Sequence, residues 1–139
     1  MMSYSTRHKL AKFLLELNEG EWQIEIIRQI LCEQEQFEPY AAFKRIDRLE
    51  RGYLTARDLM HFLADNKIHH NERNCSLFIQ RYDQDGDGRL VYSEFLQPVI
   101  TLDNQILRTV ATQRPNYEVK ADEFLAYDVE YALTKLIDR

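Results

Sequence analysis

The sequence predicts an all-α protein with two helix-loop-helix motifs and additional helices at both ends. Apolar residues recur at helical spacing along most of the 139 residues, beginning with Leu10, Phe13, Leu14 and Leu17. Only four glycines and three prolines are present, while 29% of the residues are charged and 45% are apolar. This composition suits a helical protein much better than a β-rich one.

The N-terminal extension, residues 1–38, contains two helical patterns separated by a stop signal at residues 18–20. The second pattern, from about residue 21 to 36, places apolar side chains such as Trp22 and Ile27 on more than one face. A lone surface helix does not tolerate such a distribution, so we expect this helix to be sandwiched within the domain or to form a partner interface.

The first residues also bear on localisation. Arg7, Lys9 and Lys12 occur with no acid before Glu16, which gives some likeness to a mitochondrial presequence. An ordinary amphipathic first helix is the favoured alternative. No long apolar core of a secretory signal is present, and no run approaches the roughly 18 apolar residues that cross a bilayer. We therefore expect an intracellular protein, cytoplasmic or cytoskeletal, with a mitochondrial location as the alternative.

Residues 83–94 concentrate four carboxylates in twelve positions. Asp83, Asp85 and Asp87 are two residues apart, and Glu94 closes the segment. Gly88 follows the third aspartate, where a sharp bend would be costly for a residue with a Cβ. Hard oxygen donors at this density predict a bound cation.

With oxygen donors at the first, third, fifth and twelfth positions and glycine at the sixth, this loop resembles the calcium loop of the EF-hand superfamily. The resemblance implies one Ca²⁺ ion bound by Asp83, Asp85, Asp87, the carbonyl of Arg89 and Glu94, with about one position left for water.

Two further positions of this loop are informative. Leu90, at the eighth position, is expected to point into the core while its backbone pairs with the neighbouring loop. Val91, at the ninth, has no polar side chain to orient a bound water. We therefore expect Val91 to lower the affinity or the selectivity of the site for Ca²⁺ without abolishing binding.

Residues 39–66 resemble a degenerate version of the same motif with a loop at 47–58. Gly52 and Leu54 keep the sixth and eighth positions, so a short antiparallel pairing of Leu54 with Leu90 is expected. The resemblance implies that this first motif is a structural partner of the second, which spans residues 72–102.

The ligand positions of the first loop are replaced. Leu49 and Arg51 stand at the third and fifth positions, and the twelfth residue is the shorter Asp58. Three acids and three arginines balance in this loop, whereas residues 83–94 carry four acids and one arginine. A divalent ion gains electrostatic energy only in the second loop, so a single Ca²⁺ ion is predicted.

The C-terminal extension, residues 103–139, lies outside the family pattern. Asp103 is expected to cap a short helix that ends near Pro115, and a last helix is expected from about Asp122. The inward residues of the short helix would be Ile106, Leu107, Val110 and Ala111. The apolar stripe of the last helix would be Leu125, Val129, Ala132, Leu133, Leu136 and Ile137. Core positions of the two motifs would be Phe43, Ile46, Leu59, Phe62, Leu63, Leu77, Phe78, Phe95 and Leu96.

Other chemistries have little support. Cys32 and Cys75 lack ligand spacing and are expected to be reduced structural thiols. His61, His69 and His70 match no zinc pattern. The sequence contains no phosphate-binding or nucleophile motif, so an enzymatic role has no positive evidence. A net charge of −5 argues against nucleic acid as a partner.

Two functions remain. The first is a calcium-responsive regulatory or interaction module that acts on a protein partner. The second is a structural subunit of a larger cytoskeletal, ciliary or mitochondrial assembly in which Ca²⁺ only stabilises the fold. A soluble calcium buffer fits poorly, because one site would be carried on much additional chain.

Overall fold

A computed structural model describes residues 21–69, 71–120 and 123–138. The described chain is mostly helical with one two-stranded sheet, which confirms the predicted fold class. The helical pattern and the presequence likeness of residues 1–20 lie outside the described residues. The elements are α1 (Glu21–Glu33), α2 (Pro39–Ile46), β1 (Tyr53–Leu54), α3 (Ala56–Asp65), α4 (Glu72–Tyr82), β2 (Leu90–Val91), α5 (Tyr92–Val99), α6 (Gln105–Thr112) and α7 (Tyr127–Ile137).

The two strands join the loops of the two motifs. They are antiparallel, with Tyr53 opposite Val91 and Leu54 opposite Leu90. Both leucines are fully buried, which confirms the inward position predicted for Leu90. Because each strand lies at the end of its own loop, the pairing fixes the position of one loop relative to the other.

The start of α2 shows why the first motif begins where it does. Pro39 occupies the first helical turn, where its missing N–H costs no hydrogen bond. The carboxylate of Glu38 accepts hydrogen bonds from the backbone N–H groups of Tyr40 (2.7 Å) and Ala41 (2.9 Å). These bonds satisfy two of the donors that a helix start leaves without partners.

The flanking helices pack on the helix-loop-helix pair. The last helix, α7, contacts α1, α3, α4 and α5, and its predicted apolar stripe is buried. The first helix, α1, contacts α5, α6 and α7. Its residues Ile24, Ile30 and Cys32 are buried although they point to different sides of the helix, so α1 lies within the domain on more than one side.

One side chain of α1 reaches both helices of the second motif. The Nε of Arg28 donates a hydrogen bond to the carbonyl of Pro98 on α5 (2.9 Å). Its Nη2 donates to the hydroxyl of Tyr82, the last residue of α4 (3.0 Å). Pro98 lies within α5, where proline disfavours continuation of a helix, and α5 ends one residue later, at Val99.

Several local predictions were wrong. Helix α6 is capped by Asn104, whose side chain accepts from the N–H of Leu107, and not by Asp103. Ile106 is 80% exposed and Val110 is also exposed, because α6 packs on α1 through a narrow side around Ala111. Leu77 on α4 is exposed as well.

One predicted helix start also needs correction. The last helix begins at Tyr127, about five residues later than predicted. At the start of α4, the side-chain amide of Asn71 donates to the carbonyl of Ile68 and makes no capping bond to the helix.

Candidate metal centre

The loop at 83–94 follows α4 and includes β2 and the first turn of α5. Two of its residues, Gly86 (φ 71°) and Gly88 (φ 76°), adopt left-handed backbone conformations. Side chains with a Cβ rarely adopt these angles, so glycine is the fitting residue at both positions. The loop turns back toward its own start at these two points.

Asp83 organises the turn. Its Oδ1 accepts a hydrogen bond from the N–H of Gly86 (3.0 Å), and its Oδ2 accepts one from the N–H of Gly88 (2.7 Å). Desolvation acts to raise the pKa of Asp83, but hydrogen bonds led by that of Gly88 outweigh it and lower the pKa. The side chain is therefore held as a carboxylate, the form that binds a cation.

Glu94 lies in the first turn of α5 and is only 3% exposed. Its Oε1 accepts from the N–H of Val91 (3.0 Å), and its Oε2 accepts from the N–H of Gln84 (2.7 Å). A negative charge near a helix N-terminus is favourable. Because Gln84 follows Asp83 directly, Glu94 links the end of the loop to its beginning.

The other three predicted ligand residues, Asp85, Asp87 and Arg89, are exposed to solvent. Asp87 accepts a hydrogen bond from the N–H of Arg89 (3.0 Å). In the described part of the chain, no three His, Cys, Asp or Glu side chains converge as a metal cluster. The ligand roles of Asp83, Asp85, Asp87, Arg89 and Glu94 therefore remain a prediction.

The chemistry of the donor set favours one class of ion. The predicted donors are four carboxylates and the backbone carbonyl of Arg89, so they supply only oxygen and neither nitrogen nor sulfur. Oxygen donors on a loop with bends at two glycines fit Ca²⁺, which accepts variable geometry, better than Zn²⁺.

The first loop is built in a parallel way at its beginning. The carboxylate of Asp47 is buried and accepts hydrogen bonds from the N–H groups of Arg51 (3.1 Å) and Gly52 (2.9 Å). Gly52 has a left-handed conformation (φ 84°), as do the two glycines of the second loop. Asp47 and Asp83 thus have the same structural role.

The end of the first loop differs. Oδ2 of the buried Asp58 accepts hydrogen bonds from the N–H (2.9 Å) and the hydroxyl (3.0 Å) of Thr55, which caps α3. The same oxygen lies 3.2 Å from Nη2 of Arg51 and forms an ion pair. Over 21–69, 71–120 and 123–138, no lysine or arginine forms a comparable ion pair with a carboxylate of residues 83–94. The equal numbers of acids and arginines in the first loop were visible in the sequence, but they did not identify Arg51 and Asp58 as the ion pair.

Comparison with known proteins agrees with this geometry. Residues 39–99 match the family model of an EF-hand domain pair. The match supports membership of this segment in the EF-hand superfamily. Membership suggests calcium binding, and the proteins of this superfamily are generally non-catalytic. No curated protein and no solved structure matched the chain.

The EF-hand match contains both loops and the two strands that pair them. It begins at Pro39, the first residue of α2, and ends at Val99, the last residue of α5. The flanking helices α1, α6 and α7 fall outside it. In the part of the chain that the structure describes, no helix is both long and apolar enough to cross a membrane.

Proposed function

We propose that this protein is a non-catalytic calcium-binding module that regulates or recruits a protein partner. One Ca²⁺ ion would be bound in the second loop by Asp83, Asp85, Asp87, the carbonyl of Arg89 and Glu94. The observation that carries the proposal is the position of Glu94, a buried carboxylate on the first turn of α5 that reaches back to the start of the loop.

This position supports a response to the ion. Glu94 is part of α5, so an ion that attracts its carboxylate pulls directly on a helix. That helix contacts α1, α2, α4 and α7. A displacement of α5 would therefore be passed to these four helices.

The ion pair of the first loop supports a single site. Asp58 already has a cationic partner in Arg51, whereas the second loop has four carboxylates against the one charge of Arg89. A divalent ion would have to displace a tethered guanidinium in the first loop. In the second loop it would relieve repulsion between carboxylates.

Titration calorimetry tests the site. We expect the wild-type protein to bind one Ca²⁺ ion, and Glu94→Gln to lose most of the binding heat because a bidentate charged ligand is removed. Glu50→Gln is the matched control, since it removes one negative charge from an exposed position of the first loop. Two ions per chain, or full heat in Glu94→Gln, would contradict the proposal.

The packing of α7 favours a second candidate, a structural subunit in which Ca²⁺ only stabilises the fold. Helix α7 buries Val129, Leu133 and Leu136 while contacting both helix-loop-helix motifs. Helix α7 therefore covers the apolar surface of the two motifs that a partner would otherwise bind.

Calcium-dependent exposure separates the two candidates. A regulatory module should bind more of an apolar dye, or exchange amide hydrogens in α7 faster, when Ca²⁺ is added. A structural subunit should melt at a higher temperature with neither change. Hydrogen exchange of residues 127–137, measured with and without chelator, decides between them.

A further inference from the structure

Arg51 occupies the position in the first loop that Asp87 occupies in the second. Both are the fifth residue of a twelve-residue loop, but their charges are opposite. The backbone N–H of Arg51 donates to Asp47 at the start of its loop, and its guanidinium pairs with Asp58 at the end. One residue thus bonds to the first and the last carboxylate of the loop.

We propose that Arg51 is a built-in cation of the first loop and keeps residues 47–58 closed without a metal ion. Its guanidinium would supply to Asp58 the positive charge that a bound ion would supply to Glu94. The comparison with Glu94 rests on the proposed calcium site, whereas the role of Arg51 in the first loop does not.

The burial of Asp58 favours a cationic partner. Asp58 is 2% exposed, and a buried carboxylate is costly unless it is paired and hydrogen-bonded. Thr55 supplies only neutral donors. Arg51 supplies a charge-assisted bond, and its side chain is partly exposed, so the guanidinium keeps contact with water.

Arg51 also connects the first loop to the second. Its guanidinium carbon lies 4.7 Å from the centre of the Tyr53 ring, and that of Arg89 lies 4.5 Å from the same ring. Tyr53 pairs with Val91 across the two strands. The closed first loop therefore helps to position the second, through cation–π contacts and the strand pairing.

Thermal unfolding in chelator tests the built-in cation directly. We expect Arg51→Met to lower the melting temperature by about 3–5 °C, because Asp58 loses its charged partner. Arg57→Met is the matched control, since Arg57 is an exposed arginine of the same loop and lies next to Asp58 in sequence. The double variant Arg51→Met/Asp58→Asn should recover part of the loss. Equal melting temperatures for the two single variants would overturn the proposal.

Calcium stoichiometry tests whether the guanidinium excludes an ion. The variant Leu49→Asp/Arg51→Asp/Asp58→Glu gives the first loop an oxygen donor at every ligand side-chain position and should bind one more Ca²⁺ ion than the wild type. The variant Leu49→Asp/Asp58→Glu keeps Arg51 and should bind no more than the wild type. The proposal would be overturned if the variant that keeps Arg51 bound more Ca²⁺ ions than the wild type. It would also be overturned if the triple variant bound no more Ca²⁺ ions than the wild type. If the wild type binds no calcium, the proposed function fails, and the melting comparison still decides the role of Arg51.

Discussion

The carboxylate of Glu130 accepts two hydrogen bonds from the guanidinium of Arg45, at 2.9 Å from Nε and 3.2 Å from Nη2. Both side chains are almost completely buried. The side-chain amide of Asn66 and the backbone N–H of Leu125 also donate to Glu130. Since Arg45 is on α2 and Glu130 is on α7, this pair ties the C-terminal helix to the first motif.

Replacing Glu130 with Ala should lower the free energy of unfolding by about 3 kcal/mol, because Arg45 would stay buried with one partner fewer. Urea denaturation at neutral pH measures this change. Glu118→Ala, an exposed substitution in the connection before α7, should change stability by less than about 0.5 kcal/mol. Equal effects of the two substitutions would show that the buried pair does not stabilise the docking of α7.

The apolar stripe of α7 should be equally sensitive. Leu133→Ala removes a fully buried side chain, so we expect a loss of about 2–5 kcal/mol in urea denaturation. Ile106→Ala on α6 is the control, since Ile106 is exposed and its truncation should cost within about 0.5 kcal/mol. A small effect at Leu133 would mean that α7 is not part of the cooperative fold.

Calcium should stabilise the wild-type protein through the second loop. At a free Ca²⁺ concentration about 100 times the dissociation constant, binding to the folded state alone adds about 2.7 kcal/mol to the free energy of unfolding. Chelator should remove this increment, and Glu94→Gln should not show it. Thermal unfolding of both proteins with and without Ca²⁺ measures the difference, and a full calcium shift in Glu94→Gln would contradict the site.

The two cysteines should make stability fall at alkaline pH. Both thiols are free and buried, and burial raises the pKa of Cys32 to about 11 and that of Cys75 to about 12. The folded state keeps these protons while the unfolded state loses them near its pKa of about 8.5. The stabilising contribution is therefore complete below that pH and is lost as the pH rises toward the folded values.

Urea denaturation at pH 8, 9 and 10 checks this dependence. Each thiol should contribute a slope of about 1.4 kcal/mol per pH unit above the unfolded pKa. The variant Cys75→Ala should show a shallower decline than the wild type. In addition, a chromogenic thiol reagent at pH 8 should react slowly with the folded protein and rapidly in denaturant. Rapid reaction of both thiols in the folded state would show that they are accessible.

The sequence predicted those features of the fold that depend on local periodicity. The stripe from Leu125 to Ile137 and the pairing of Leu54 with Leu90 were correct, because regular spacing and the EF-hand pattern determine which residues turn inward. Periodicity identifies an apolar face but not the partner that covers it, and Ile106 on α6 was therefore assigned to the core wrongly. The helix cap was misplaced by one residue because Asp103 and Asn104 are both good caps.

Contacts between distant parts of the chain could not be predicted. Arg45 and Glu130 are 85 positions apart, and no spacing rule connects them. Arg51 and Asp58 lie within one loop, but the direction of a long arginine side chain depends on the folded backbone. Counting charges indicated a neutral loop, and only the structure identified which charges neutralise each other.

Arg28 connects α1 to the two helices that flank the loop at 83–94. One nitrogen of its guanidinium group holds Tyr82, immediately before the loop, and another holds the carbonyl of Pro98 beyond it. If the angle between these helices changed, the distance from Tyr82 to the Pro98 carbonyl would change as well. A single guanidinium could not follow both groups, so α1 would have to shift or release one of them. Arg28 would thereby pass a change in the loop on to α1.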